Sequence, residues 1–200
     1  MDKKQEILEA AFELFCEKGY HLSMSELAGK VEIKTPSLYS HFNSKDQILS
    51  IVIYEEIQRF YDNLQEKMIT VEKIGCKEAM RSIYNFVVTY FSEYKNLHFW
   101  RRIPFIANEQ LRTASSNIIA EKDKDYNETM RSFFLRGQEY GEIRQDITYS
   151  SLQLYFCTIQ GVLDGMMLYR ASHEEANSDQ IFEAYWLGIC ANSEDKEVSI

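Results

Sequence analysis

Apolar residues recur along this chain with a helical period. Ile7, Ala10, Ala11, Leu14 and Phe15 fall at steps of three and four, which predicts one buried stripe of a helix over Lys3 to Lys18. Gly19 follows as a residue that can leave the helix, with Lys18 favourable in its last turn. The acids at 6, 9, 13 and 17 read as the solvated face of that helix. A long helix is predicted from Ser44 to about Lys67, with Ile48, Val52, Ile57, Phe60 and Leu64 inward. The next spans 76–95, with Ile83, Phe86, Val87, Tyr90 and Phe91 on its apolar side, and Pro104 interrupts the chain after it. A further long helix covers Glu109 to about Glu139 and buries Phe133, Phe134 and Leu135. Two strongly apolar helices follow, from about Tyr149 to Tyr169 and from about Asn177 to Cys190. The tail Asn192–Ile200 is polar and expected to fray. Only two prolines and eight glycines punctuate the chain, so the pattern predicts an all-α fold.

Residues 22–47 carry a denser set of signals. Ser23 and Glu26 form an S-x-x-E capping box that starts a helix at Met24, and Leu22 and Leu27 are placed as its hydrophobic staple. Leu27, Ala28 and Val31 face inward. After a short turn, Thr35 is read as an N-cap with Pro36 at N1. Leu38 and Phe42, four apart, bury one face of this second short helix, and the other face presents Thr35, Ser37, Tyr39, Ser40 and His41. Ser44 and Gln47 form a second box that opens the long helix. Two short helices joined by a tight turn are the helix-turn-helix plan, in which the second helix enters the major groove. An ordinary helical hairpin satisfies the same periodicity.

The stretch ELFCEKGY…LSMSELAGKVEIKTPSLYSHFNSKDQIL resembles the N-terminal DNA-binding domain of the TetR family of transcriptional regulators, from about Lys3 to about Leu49. The densest part of the resemblance is Ile33-Lys34-Thr35-Pro36-Ser37-Leu38-Tyr39-Ser40-His41-Phe42, followed by Ser44-Lys45. The resemblance implies a helix-turn-helix domain over 1–47 and a helical ligand-binding and dimerisation domain over 48–200. It implies a homodimer on a palindromic operator, released by a small-molecule effector. On it, Lys34, Thr35, Ser37, Tyr39, Ser40 and His41 are expected to meet DNA, with Lys45 at a phosphate. This chain has Glu32 where the family usually has Gly; if that backbone needs a positive φ, the strain is about 1 kcal/mol.

Charge changes the picture only locally. The net charge is −9, and residues 1–47 hold six lysines against eight acids. Between Lys30 and Lys45, however, three lysines face one acid, Glu32, and phosphate contact is local. So weak basic charge predicts weak non-specific DNA binding. No stretch reaches the ~18 apolar residues of a membrane span, and the amphipathic start is not a signal peptide. Cys16, Cys76, Cys157 and Cys190 form no C-x-x-C, and His21, His41, His98 and His173 do not cluster at metal spacing. Reduced thiols, a cytoplasmic location and no metal or cofactor are expected.

The remaining candidates concern the effector. Phe91, Trp100, Phe105, Tyr155, Gln160 and Asp164 are expected to bound a mostly apolar pocket for a flat or lipophilic molecule, with Arg101 or Arg102 as a possible partner of Asp164. Gly161 and Gly165 sit four apart, which allows close approach of another helix, from the same subunit or from a second copy. A DNA-binding dimer controlled by a protein partner is the first alternative. An all-α enzyme is the second, although no nucleophile elbow, phosphate loop or metalloprotease motif is present and none is expected to act.

Overall fold

The computed structural model describes residues 2–169 and 177–191; the expected polar tail and His173 lie outside the described residues. Among those described, the chain is α-helical, with α1 over Lys3–Lys18, α2 Met24–Lys30, α3 Thr35–Tyr39, α4 Lys45–Val71, α5 Cys76–Ser92, α6 Tyr94–Arg102, α7 Glu109–Glu139, α8 Ser151–Tyr169 and α9 Ser178–Ile189. Short 3₁₀ turns follow α1 and α6, the second holding Pro104. The ring there takes the break that a proline imposes on a helix.

The helix ends follow local chemistry. Gly19 leaves α1 at φ 62°, and its N–H bonds the Phe15 carbonyl. α5 stops at Ser92, three residues earlier than its periodicity predicts, because Glu93 adopts an extended backbone. α3 begins one residue earlier than expected: Lys34 is its N-cap residue, so Thr35 occupies the first helical position and caps nothing with its side chain. Leu135 is a correction. It is 49% exposed, whereas Phe133 and Phe134 are buried. Successive helical residues are about 100° apart, so three in a row cannot share one narrow buried stripe.

Two compact units form, with divisions inside α4 and inside α7. One comprises the chain up to Tyr61 together with Tyr94–Lys122; the other comprises Asp62–Glu93 together with the chain from Asp123 onward. In the first unit α1 packs on α2 and α6, around Ile7, Phe15, Leu27, Leu38, Ile48 and Phe99. The second unit packs α5, α8 and α9 together around Tyr84, Tyr155 and Phe182. Tyr155 donates its hydroxyl to the Met80 carbonyl at 2.9 Å. The start of α5 has no cap from its own segment. Glu142 supplies one from far along the chain, accepting the N–H groups of Cys76 at 2.9 Å and Lys77 at 3.2 Å. A carboxylate at a helix N-terminus satisfies orphan donors and opposes the helix dipole. No described helix is long and apolar enough to cross a membrane.

One glycine in the second unit is fixed by packing. A Cβ at Gly137 would lie 2.7 Å from the Cys76 sulfur and 2.9 Å from Ile143 Cδ1. Gly137→Ala is therefore expected to destabilise the protein by about 1–3 kcal/mol despite the better helix propensity of alanine. A urea midpoint equal to or above wild type would show that the contact relaxes freely.

Candidate nucleic-acid interface

Both halves of the Ser23–Glu26 box form. Ser23 Oγ accepts the Glu26 N–H at 3.2 Å, and Glu26 returns a carboxylate to the Ser23 N–H at 2.9 Å. The end of α2 is a Schellman motif: Ile33 N–H bonds the Ala28 carbonyl at 3.0 Å and Glu32 N–H bonds the Gly29 carbonyl at 3.2 Å. The residue this motif places in the left-handed region is Glu32, at φ 55°. Glycine is the usual occupant of such a site, so the strain anticipated from the sequence is present.

The turn delivers α3 with Leu38 fully buried and Phe42 buried just beyond it. Lys34, Ser37, Tyr39 and Ser40 are exposed, and Thr35 and His41 are half-buried. Tyr39 keeps 51% of its surface open. These six side chains are therefore brought together on and around the outer face of one short helix. Ser40 Oγ donates to the Ser37 carbonyl at 2.6 Å, which ties off the helix end.

Lys45 is placed differently. Its ammonium donates to the Tyr20 carbonyl at 2.7 Å and lies 3.8 Å from the centre of the Tyr20 ring. Tyr20 in turn donates its hydroxyl to Asp46 Oδ1 at 2.8 Å, and Asn108 donates to Asp46 Oδ2 at 2.9 Å. Burial and the Asp46 carboxylate push the Tyr20 hydroxyl pKa up. Arg102 crosses from the end of α6 to the end of α1, donating to the carbonyls of Cys16 at 2.9 Å and Glu17 at 2.8 Å. Its side chain packs against Gly19. A guanidinium at a helix C-terminus meets unpaired carbonyls and the negative end of the dipole together. Glu13 is more than a solvated acid of α1. It receives Lys95 at 2.6 Å and Lys30 at 2.9 Å, which hold its carboxyl down at about 2. Tyr20, Asp46 and Asn108 had no signal at sequence level, and Arg102, expected as a possible partner of Asp164, caps α1.

The six effector candidates fall in different places. Trp100 and Phe105 belong to the first unit, where Trp100 stacks edge-on with Phe60 and Tyr61, and Phe105 is 82% exposed. Phe91 and Tyr155 are buried in the second unit. Gln160 and Asp164 are on the exposed side of α8. Steps of five and nine residues from Tyr155 rotate about 140° and 180°, so these polar residues face away from it.

A Schellman turn that presents a short polar helix over a buried Leu–Phe pair has the build of a helix-turn-helix. Residues 7–51 match the model for bacterial regulatory proteins of the tetR family. The fatty acid metabolism regulator protein of Bacillus subtilis is 25% identical over 162 residues, covering 78% of this chain and 79% of that protein. Two solved structures share the fold. The regulator FadR from Bacillus subtilis in complex with stearoyl-CoA aligns with a TM-score of 0.69 and 22% identity over 92% of this chain and 98% of that one. The ketosteroid regulator KstR2 of Mycobacterium tuberculosis aligns with a TM-score of 0.72 and 16% identity, over 96% of each chain. The chain thus carries the DNA-binding domain of the TetR family of transcriptional regulators.

Three outcomes follow from this geometry. Glu32→Gly should relieve the turn and stabilise the protein by about 1 kcal/mol, raising Tm by about 2–4 °C; an unchanged or lower Tm would mean that the turn stores no strain. Lys34→Ala should weaken all DNA sequences about equally and flatten the salt dependence by about one charge per reading head. Lys45→Ala should in addition lower Tm, because its ammonium leaves the Tyr20 carbonyl unmet. A Tm for Lys45→Ala equal to wild type would make its contact with Tyr20 dispensable.

Proposed function

We propose that two copies of this chain pair through α8 and α9, bind an inverted-repeat operator as a repressor, and leave it when a lipophilic effector occupies the second unit. The observation that carries the reading is the exposed polar face of α3 around Lys34, Thr35, Ser37, Tyr39, Ser40 and His41, presented by a turn built for it. Two-fold pairing of such heads demands a two-fold related pair of half-sites.

Support for pairing comes from the outer faces of α8 and α9. Leu154, Leu168 and Leu187 are exposed there. A Cβ added at Gly161, Gly165 or Gly188 would meet nothing within 4 Å among the described residues. These glycines are thus not explained by packing within one subunit, and small residues beside exposed leucines suit close approach of a second copy. Gln160 and Asp164 share this side of α8 and are assigned to the pairing face rather than to the effector.

Support for a lipophilic effector comes from the second unit's interior. Phe91, Tyr155, Phe156, Phe182 and Tyr185 make a largely aromatic core there. The hydroxyls of Tyr84 and Tyr185 are buried within it without a hydrogen-bond partner among the described residues. Burial pushes the Tyr84 phenol up to about 12. Uncharged donors left unpaired in an apolar interior suit a ligand with a long apolar body and a few polar atoms. Two of the relatives act in fatty acid metabolism or were solved with stearoyl-CoA, which makes a long-chain acyl thioester the first compound to try. Release requires that the effector bind one dimer geometry better than the other.

Random DNA selected by the purified protein should yield an inverted repeat on sequencing; enrichment of an unpaired half-site would remove the two-fold arrangement. Stearoyl-CoA, and not coenzyme A alone, should release that DNA, and indifference to acyl-CoA of every chain length would exclude this effector class. Gly165→Leu should sediment as a folded monomer with wild-type circular dichroism. An intact dimer would place the pairing face elsewhere.

A further inference from the structure

The first unit holds a cavity that neither DNA binding nor the effector reading uses. It has a volume of about 290 Å³ and lies between α1 and the first half of α4. Leu8, Phe12 and Val52 form its apolar wall, and Glu9, Glu13, Glu55 and Glu56 with Arg59 supply its charge. The volume is at the small end of the range for ligand clefts.

Glu56 is what separates this cavity from an acidic surface. It is only 6% exposed, although it lines the cavity beside apolar side chains. A buried carboxylate is costly without a close cation. Its partner is Arg59, at 2.9 Å, and that arginine side chain is itself 60% exposed. A largely solvated partner compensates a buried charge poorly. Burial accordingly raises the Glu56 carboxyl above its ordinary range, with the Arg59 charge opposing the rise. The acids do not converge as metal ligands would: no group of three or more potential metal-binding side chains exists among the described residues. A flat cation fits better, its ring against Phe12 and its charge at Glu56.

We propose that the α1–α4 cavity is a binding site for a small organic cation with an aromatic or apolar body, such as an aryl amidine or aryl amine. The ring occupies the space bounded by Leu8, Phe12 and Val52, and the cationic group pairs with Glu56, displacing Arg59 towards solvent. The site is independent of the effector proposed for the second unit. It has a route to DNA binding, because Glu13 on the same rim holds Lys30 of α2.

The test uses the full-length protein and three compounds of one shape: benzamidine, benzamide and benzoate. Ligand-observed NMR titration should show saturable binding of benzamidine, at least ten-fold weaker binding of benzamide, and no binding of benzoate. Glu56→Gln should weaken benzamidine at least ten-fold while Tm stays level or rises, since a buried charge is removed. Leu8→Trp, which fills the cavity from α1, should abolish binding and serves if Glu56→Gln fails to fold. Equal binding of the three compounds, benzamidine affinity unchanged in either variant, or no saturable binding to the wild type would each overturn the proposal.

Discussion

A helix of five residues does not hold itself together. Nucleating a first turn fixes several dihedrals for one hydrogen bond, and isolated helices shorter than about 12 residues are marginal in water. Yet α3, the helix proposed to read DNA, has only that length. Its stability must come from its neighbours, and most of the first unit can be understood as that support. Leu38 is pinned in the core, the Schellman turn sets the entry direction, and Ser40 closes the exit onto Ser37. α1 lies beneath, with its own end held by Arg102 and its flank tied by Glu13 to Lys30.

The support has two textures. Apolar burial fixes where α3 sits, but it is tolerant of small rotations because dispersion contacts are individually weak. The polar ties are directional. Tyr20, Asp46 and Asn108 join three separate stretches of chain through one carboxylate, and Lys45 adds a third bond onto the Tyr20 carbonyl. Fixing the orientation of a reading helix needs such bonds, since sequence is read through groups that must meet base edges with defined geometry.

Local signals explain which parts of this arrangement could be read from the chain. Capping boxes, staples and helical periods are written within a few residues, so α1 and α7 begin and end where the pattern predicts, and the buried stripe of α1 is recovered. The Ser23–Glu26 box and the outward polar set on α3 were legible for the same reason, whereas the positive φ at Glu32 was raised by the resemblance, through the glycine usual at that position. Glu142 capping α5, Arg102 capping α1 and Asn108 reaching Asp46 were not, because each spans more than sixty residues and no local pattern marks either partner. Rotation of a helix that is apolar nearly all round is equally illegible. On α8 the stripe is too wide to orient, so Tyr155 and the Gln160–Asp164 pair were grouped together although they lie on opposite sides. The apolar character of Leu135 likewise said nothing about its direction.

The pairing of lysines in the reading head has a kinetic meaning. Lys18 is engaged by Glu26, Lys30 by Glu13 and Lys45 by Tyr20, whereas Lys34 is exposed with no partner among the described residues. With Lys18 and Lys30 held by carboxylates, a head with this little free positive charge releases few counterions when it meets arbitrary DNA, so its residence on the wrong sequence is short. A regulator acting as proposed would forgo the long one-dimensional slides that strongly basic regulators use and search mainly by repeated collisions from solution. Occupancy of its target then tracks its own copy number closely, because the chromosome at large sequesters little of it.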